Sequence, residues 1–454
     1  MKDLTKGNPL KLIFMFALPV LLGNVFQQFY NLADTMMVGK MLGIDALAAM
    51  GATGSFYGLI VGLAMGITVG FSILISRYYG AKDIANMKKA VAGTLFLSIA
   101  CGIIITLAAL LLNRPILELL GTPDDIIEMS YEYLVIIFSG ILISILYNTG
   151  ASVLRALGDS RTPLYFLIFG TVLNIALDYA FIALLHMNVA GAAYATIIAQ
   201  ACSVLLCIYY IKVKYPILYL KKEDFSFPKG MLMSQFSMGI SMGLMNSIVS
   251  IGSVILQSAV NSMGSIIIAG HTAARKLSEM FMQPMVSIGI AATTFASQNL
   301  GAGHIDRIKE GIRKCILLCF LWASFTVLLS FTGMRFLIMI MVEAEETEAI
   351  ATAEYYMKIN SVFYYALGAL FIYRNILQGI GRKMIPIVSS IIEMFVKIGA
   401  TFLLVPSFGY LGIAVCEPIA WLIMTAFLMF FFYHDERFKR NTILEIQTEK
   451  ADPN

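Results

Sequence analysis

Charged residues are scarce in this sequence. They make up 13% of its 454 residues, while hydrophobic residues make up 59%. A soluble domain carries about 25% charged residues, so a water-covered globular surface is excluded for most of the chain. Histidine is almost absent, and the four present (His186, His271, His304 and His434) are scattered, which argues against a histidine metal centre. The six cysteines (Cys101, Cys202, Cys207, Cys315, Cys319 and Cys416) all lie in apolar segments without a CxxC spacing. They read as packing residues, because free cysteine behaves as a small hydrophobe, and not as disulfides or metal ligands. HExxH and Walker A sequences are missing, and the GxSxG spacing at Gly239–Gly243 lies inside an apolar run, not at a strand-to-helix turn. No enzyme activity, no direct ATP drive and no cofactor is expected. The net charge of +4 is modest, and no nucleic-acid partner is expected.

What fills the chain instead is a succession of long apolar runs. Ala90–Asn113 and Val135–Leu154 each reach the ~20 residues that cross a bilayer. Such runs recur to the end, so a signal peptide cannot account for them, and the first, Leu10–Val38, lacks a small-residue cleavage pattern. Inside lipid every backbone polar group needs an internal partner, which leaves helices or closed barrels. The abundance of Leu, Ile, Met and Ala favours helices. Twelve are expected, over 10–38, 46–76, 88–113, 126–150, 162–185, 189–213, 231–259, 268–298, 307–332, 352–377, 385–406 and 411–434. With both termini placed in the cytoplasm, the cytoplasmic segments hold 25 of the 32 Lys and Arg, as the positive-inside rule requires. The external loops are acidic, as in Thr122–Glu128 and Glu343–Glu354.

The two halves repeat at an offset of about 221 residues. Gly80-Ala81 aligns with Gly301-Ala302, Gly43 with Gly264, and Gly191 with Gly412, while Gly158 and Pro163 align with Gly381 and Pro386 at 223. Six helices per half give parallel repeats related by an axis along the membrane normal, with a cleft between two bundles. The expected organisation is an N-terminal lobe at 1–213, a basic linker at 214–230, a C-terminal lobe at 231–434 and a cytoplasmic tail at 435–454. Gly58, Gly62, Gly66 and Gly70 recur every fourth residue, a spacing that lets helix backbones approach closely.

Among the acids within the expected spans, Asp34, Asp178, Glu279, Glu393 and Glu417 stand apart from the charged loops. A charge at mid-membrane costs at least ~2–3 kcal/mol unless paired or hydrated, so each is a functional candidate. Asp34 ends a polar stripe of Asn24, Gln27, Gln28 and Asn31, which must face protein or a wet cavity. Pro19 precedes the stripe and permits a kink. Asn174 lies one turn before Asp178. At ~1.5 Å per residue, Asp34, Asp178, Tyr133 and Thr196 reach a similar depth, about 10 Å from the external side. That composes an oxygen-rich site for a proton or a sodium ion, with Asp34, Asn174 and Asp178 as the Na+ ligands if sodium is the ion. The second half offers a milder polar face that includes Asn246 and Gln257. Glu279 sits beside Met280, where an organic cation finds both an acid and an adaptable apolar surface. Glu393 and Lys397, four apart, are expected either to pair structurally or to act in function.

Three segments carry a family resemblance: "ALPVLLGNVFQQFYNLADTMMVGKMLG" at 17–43, "RALGDSRTPLYFLIFGTVLNIALDYAFI" at 155–182, and the "GAKD" and "GAGH" elements after spans two and eight. They resemble the multidrug and toxic compound extrusion (MATE) family, and the likeness extends over residues 8–434. The resemblance implies an all-α membrane fold of twelve helices in two six-helix lobes forming a V-shaped cavity. It implies export of drugs and toxic amphiphiles driven by inward H+ or Na+ flow. Asp34, Asn174 and Asp178 match the cation-site pattern of a prokaryotic branch with carboxylates in the first and fifth helices, and Tyr133 and Thr196 extend that match. Pro19 matches a proline linked to bending of the first helix. Other members place an acid in the seventh helix, and this chain has none over 231–259.

The expected activity is therefore secondary antiport of amphipathic, often cationic small molecules, by a monomer in a bacterial cell membrane. Three alternatives compete with this reading. A flippase for lipid-linked sugars calls for a strongly basic cavity, whereas only three Lys and Arg (Arg275, Lys276 and Lys397) are assigned to neither the cytoplasmic nor the external side. A passive channel is compatible with the hydropathy alone. A membrane enzyme lacks HExxH and Walker A motifs here.

Overall fold

The computed structural model describes residues 3–438. The C-terminal tail expected at 435–454 therefore lies outside the described residues from 439 onward. Among those described, the regular structure is entirely helical: α1 (Pro9–Met41), α2 (Ile44–Gly80), α3 (Ile84–Leu119), α4 (Ile127–Ser139), α5 (Ile141–Ala156), α6 (Arg161–Tyr179), α7 (Val189–Lys214), α8 (Met231–Asn261), α9 (Ser265–Gly301), α10 (Ile305–Thr332), α11 (Met334–Met339), α12 (Thr347–Val362), α13 (Tyr364–Gly379), α14 (Met384–Leu403), α15 (Val405–Phe408) and α16 (Tyr410–His434). A π-helical turn, Ala180–Leu184, extends α6.

Every segment expected to span the membrane is helical. Nine helices among the described residues are long and apolar enough to do so individually, and α4 with α5 makes a tenth span bent by 45°. The bend falls at Gly140, whose missing side chain leaves room for Ile197 of α7. The segment expected at 352–377 is likewise divided at Phe363 into two 16-residue helices, α12 and α13. Leu111, Leu119, Phe402 and Leu403 are more than two-thirds exposed. Such an apolar exterior is what a lipid solvent selects.

Repeat-matched glycines do matched work. Gly43 and Gly264 precede α2 and α9 with φ of 91° and 94°, a region that L side chains rarely adopt. The sequence repeat thus records two copies of one turn.

The chain packs as two compact units, Met1–Asp3 with Met15–Ser247, and Leu4–Phe14 with Ile248–Asn454. The division falls inside α8, beyond the linker. In the first unit, Gly66 and Gly70 of α2 lie against Gly243 and Gly239 of α8, with no space for a Cβ at either. Gln235, fully buried, donates to the Ala90 carbonyl at 2.8 Å and to Thr94 Oγ1 at 2.9 Å. In the second unit, the Leu4 N–H donates to Gln298 Oε1 at 3.1 Å, and Arg307 Nη2 donates to the Gly7 carbonyl at 3.0 Å. Arg374, counted with the cytoplasmic basic residues by sequence position, is instead buried in this unit, 3.5 Å from Glu393.

Candidate functional site

In the first unit, α1 carries Asp34, α6 carries Asn174 and Asp178, and α7 carries Thr196. All four are buried, Asp178 completely. The amide of Asn174 has one atom 2.9 Å from Asp178 Oδ2 and the other 3.2 Å from the Thr196 N–H. Because the backbone N–H only donates, the amide oxygen must face Thr196, and the nitrogen must donate to the carboxylate. Thr196 Oγ1 lies 3.0 Å from the Tyr30 hydroxyl. Tyr133 is buried in the apolar core beside them, and Asp34, Asp178, Tyr30 and Tyr133 are within electrostatic reach of one another.

Satisfaction stops there. Asp34 Oδ1 and Asp178 Oδ1 are buried without a hydrogen-bond partner, and neither residue has an ion pair among the described residues. Two buried carboxylates without a resident cation are unfavourable while both are ionised. A proton or a small cation would offset that cost. The set offered to it is all oxygen, which suits a hard cation.

A small cavity of about 90 Å³ adjoins this cluster, lined in part by Gln27, Tyr30, Tyr57, Asn174, Thr196 and Gln200. Gln27 faces it, whereas Gln28 and Asn31 are exposed and Asn24 is half-buried. Pro19 is buried within α1. Asn246, grouped with Gln257 by sequence, belongs to the first unit and donates to the Gly62 carbonyl at 3.2 Å. Helical periodicity put the two on one face but could not show that α8 divides between units.

Gln257 and Glu279 do come together in the second unit, where both line a cavity of about 260 Å³. Met280 is 61% exposed and outside that lining. The acids here are paired. Glu417 Oε1 lies 2.6 Å from Arg275 Nη1 and 3.5 Å from Lys397 Nζ, and its Oε2 accepts from the Tyr356 hydroxyl at 2.9 Å. Lys397 Nζ also reaches Glu393 at 3.0 Å. Glu393 and Lys397 thus form a buried ion pair.

Tyr30, Tyr57 and Gln200 are site residues that sequence reasoning missed. Tyr30 sits one turn before Asp34 and Gln200 one turn after Thr196, so the same periodicity that selected the acids reaches them. Tyr57 had no such signal, since it lies in the apolar run of α2. Among the described residues no group of His, Cys, Asp and Glu has the grouping of a transition-metal site.

Known proteins resemble this chain over most of its length. The sequence pattern of the family described as MatE matches residues 19–180 and 241–403, once in each repeat. The probable multidrug resistance protein YpnP of Bacillus subtilis (strain 168) is 29% identical over 99% of each chain. The probable multidrug resistance protein YoeA of the same organism is 30% identical over 95% of each chain. Among solved structures, an outward-facing MATE family transporter of the MOP superfamily superposes with a TM-score of 0.89 at 24% identity, covering 96% of this chain and 98% of the other. A MATE structure in the bent conformation gives 0.88, also at 24%, covering 99% and 98%.

Proposed function

The chain belongs to the MatE family, and on that premise we propose that it exports amphipathic, often cationic compounds across the cell membrane in exchange for H+ or Na+. It is a multi-pass membrane transporter and not an enzyme. The multidrug resistance names of YpnP and YoeA support the substrate class. The proposed setting is a bacterial plasma membrane with both termini cytoplasmic, following the distribution of Lys and Arg.

One observation carries the exchange mechanism. Asp34 and Asp178 are two buried acids, each with a carboxylate oxygen that has no partner. Asn174 and Thr196 hold Asp178 in place from one side. A bound H+ or Na+ halves the charge of the pair and lowers the desolvation cost. An organic cation near Gln27 and Tyr57 is favoured when the pair is ionised. Each ligand therefore weakens the hold on the other, as reciprocal coupling requires. When the site is exposed to each side of the membrane in turn, the inward gradient of the small ion drives the large one out.

Dye-loaded proteoliposomes with an imposed H+ or Na+ gradient test this. The wild type is expected to move dye with one of the two ions, and Asp34→Asn and Asp178→Asn are each expected to abolish that coupling while remaining folded. Undiminished gradient-driven efflux by both variants would remove the proposed site.

A further inference from the structure

The repeat places a different chemistry in the second unit. At the offset of 223 that relates Gly158 to Gly381, Lys397 takes the place of Asn174, and at 221 Glu417 takes that of Thr196. Lys397 Nζ, on a side chain 2% exposed, is held by Glu393 at 3.0 Å, Ser253 Oγ at 3.3 Å and Glu417 at 3.5 Å. This is a tethered ammonium within a carboxylate site. An exchangeable cation has no vacant charge to neutralise there.

The cavity in front of this pair has charges of both signs. Arg275 spends Nη1 on Glu417, and its Nη2 lies 3.8 Å from Glu279, too far for a hydrogen bond. Lys276 is exposed at the cavity and has no acid within ion-pair distance among the described residues. Glu279 presents a half-exposed carboxylate one turn along the same helix. Gln257 and Thr272 add uncharged polar groups, and Val254 and Leu256 add apolar wall. The lining is balanced in charge, with Arg275 and Lys276 against Glu279 and Glu417, and Lys397 behind it is matched by Glu393.

We propose that this cavity recognises zwitterionic amphiphiles, with Lys276 and Arg275 taking the anionic group and Glu279 taking the cationic one. The proposal rests on the export reading and narrows its substrate class. The cationic centre of such a molecule is also what the acids of the first unit would draw, so the carboxylate is the feature that the second unit reads. An exposed ammonium with a guanidinium beside it gives charge-assisted hydrogen bonds, which discriminate a carboxylate from its ester by roughly tenfold.

Rhodamine B and its ethyl ester differ in that one group. Fluorescence polarisation with the purified full-length protein in detergent, without any ion gradient, measures both affinities. The wild type is expected to bind the carboxylate form about tenfold more tightly. Lys276→Gln should erase most of that preference, and Lys276→Arg should keep it. Lys276 is exposed, so neither change threatens the fold. Equal affinity for the two dyes in the wild type, or an unchanged preference in Lys276→Gln, overturns the proposal. Because binding is read without a gradient, a failure of the export reading shows separately, as absence of dye efflux from vesicles under either ion.

Discussion

Asn174 donates to Asp178 Oδ2 at 2.9 Å and accepts from the Thr196 backbone at 3.2 Å. The amide is thereby pinned at both ends, and it fixes which carboxylate oxygen of Asp178 stays open. The other oxygen, Oδ1, has no partner. Asn174 is thus a positioning residue for the proposed cation site, and its removal should act through Asp178.

Asn174→Ala is accordingly expected to weaken ion coupling without unfolding the protein. Loss of a hydrogen bond to a charged group costs about 1.5–3 kcal/mol, so the ion concentration for half-maximal efflux should rise by at least about tenfold. Titrating dye efflux against the coupling ion checks this. An unchanged half-maximal concentration would exclude the positioning role.

Lys397→Met should be strongly destabilising. Glu393 would keep only the more distant Arg374, and Glu417 would lose one of its two cations. Breaking a buried ion pair from one side costs about 3–5 kcal/mol. Thermal unfolding in detergent should show a large fall in midpoint, partly restored when Glu393→Gln is added. A midpoint within a degree or two of wild type would show that the pair is dispensable.

The glycine stripe of α2 separates into two kinds of position. A Cβ at Gly66 would sit 2.7 Å from the Gly243 backbone, whereas at Gly58 it would meet nothing within 4 Å. Gly66→Ala should destabilise the first unit by about 1–3 kcal/mol through overpacking. Gly58→Ala should be neutral or stabilising by up to ~1 kcal/mol, because alanine has the higher helix propensity. Equal effects of the two in a thermal-shift assay would contradict the close approach.

Asp159 gives a pH dependence outside the membrane segments. Burial pushes its carboxyl up, but hydrogen bonds from Thr162 Oγ1 at 2.6 Å, the Tyr215 hydroxyl and the N–H groups of Thr162 and Arg161 prevail and hold it below the ordinary aspartate range. A folded value below the unfolded one means that its stabilisation is complete above the unfolded value, near 4. It is lost as pH falls through the lower folded value. Asp159→Asn should therefore lower the unfolding midpoint at neutral pH and flatten the acid limb of a stability-versus-pH curve. An acid limb identical to wild type would refute the assignment.

Much of this was legible in the sequence because the membrane imposes strict rules. Long apolar runs, the charge bias of the loops and the repeat-matched glycines identify the spans and the two halves. Asp34, Asn174, Asp178 and Thr196 were found by depth and period, since intramembrane acids are rare enough to stand out. The bend at Gly140 and the break at Phe363 were not legible, because hydropathy averages over them. Nor was the division of α8, which separates Asn246 from Gln257: one helical face can serve two packing units. The Arg275–Glu417–Lys397 network was missed as a unit because its members lie on three helices more than a hundred residues apart at the extremes, a distance that no local period spans.

The account depends on Asp34 and Asp178 exchanging a small cation as a pair. Infrared difference spectroscopy of the purified protein reads carboxyl groups directly as pH or Na+ is stepped. The wild type is expected to show a carboxyl or carboxylate band that responds to one of the two ions, and the band should vanish in Asp34→Asn and in Asp178→Asn alike. The same band persisting at full amplitude in both variants would contradict the account, because some other group would then be binding the ion.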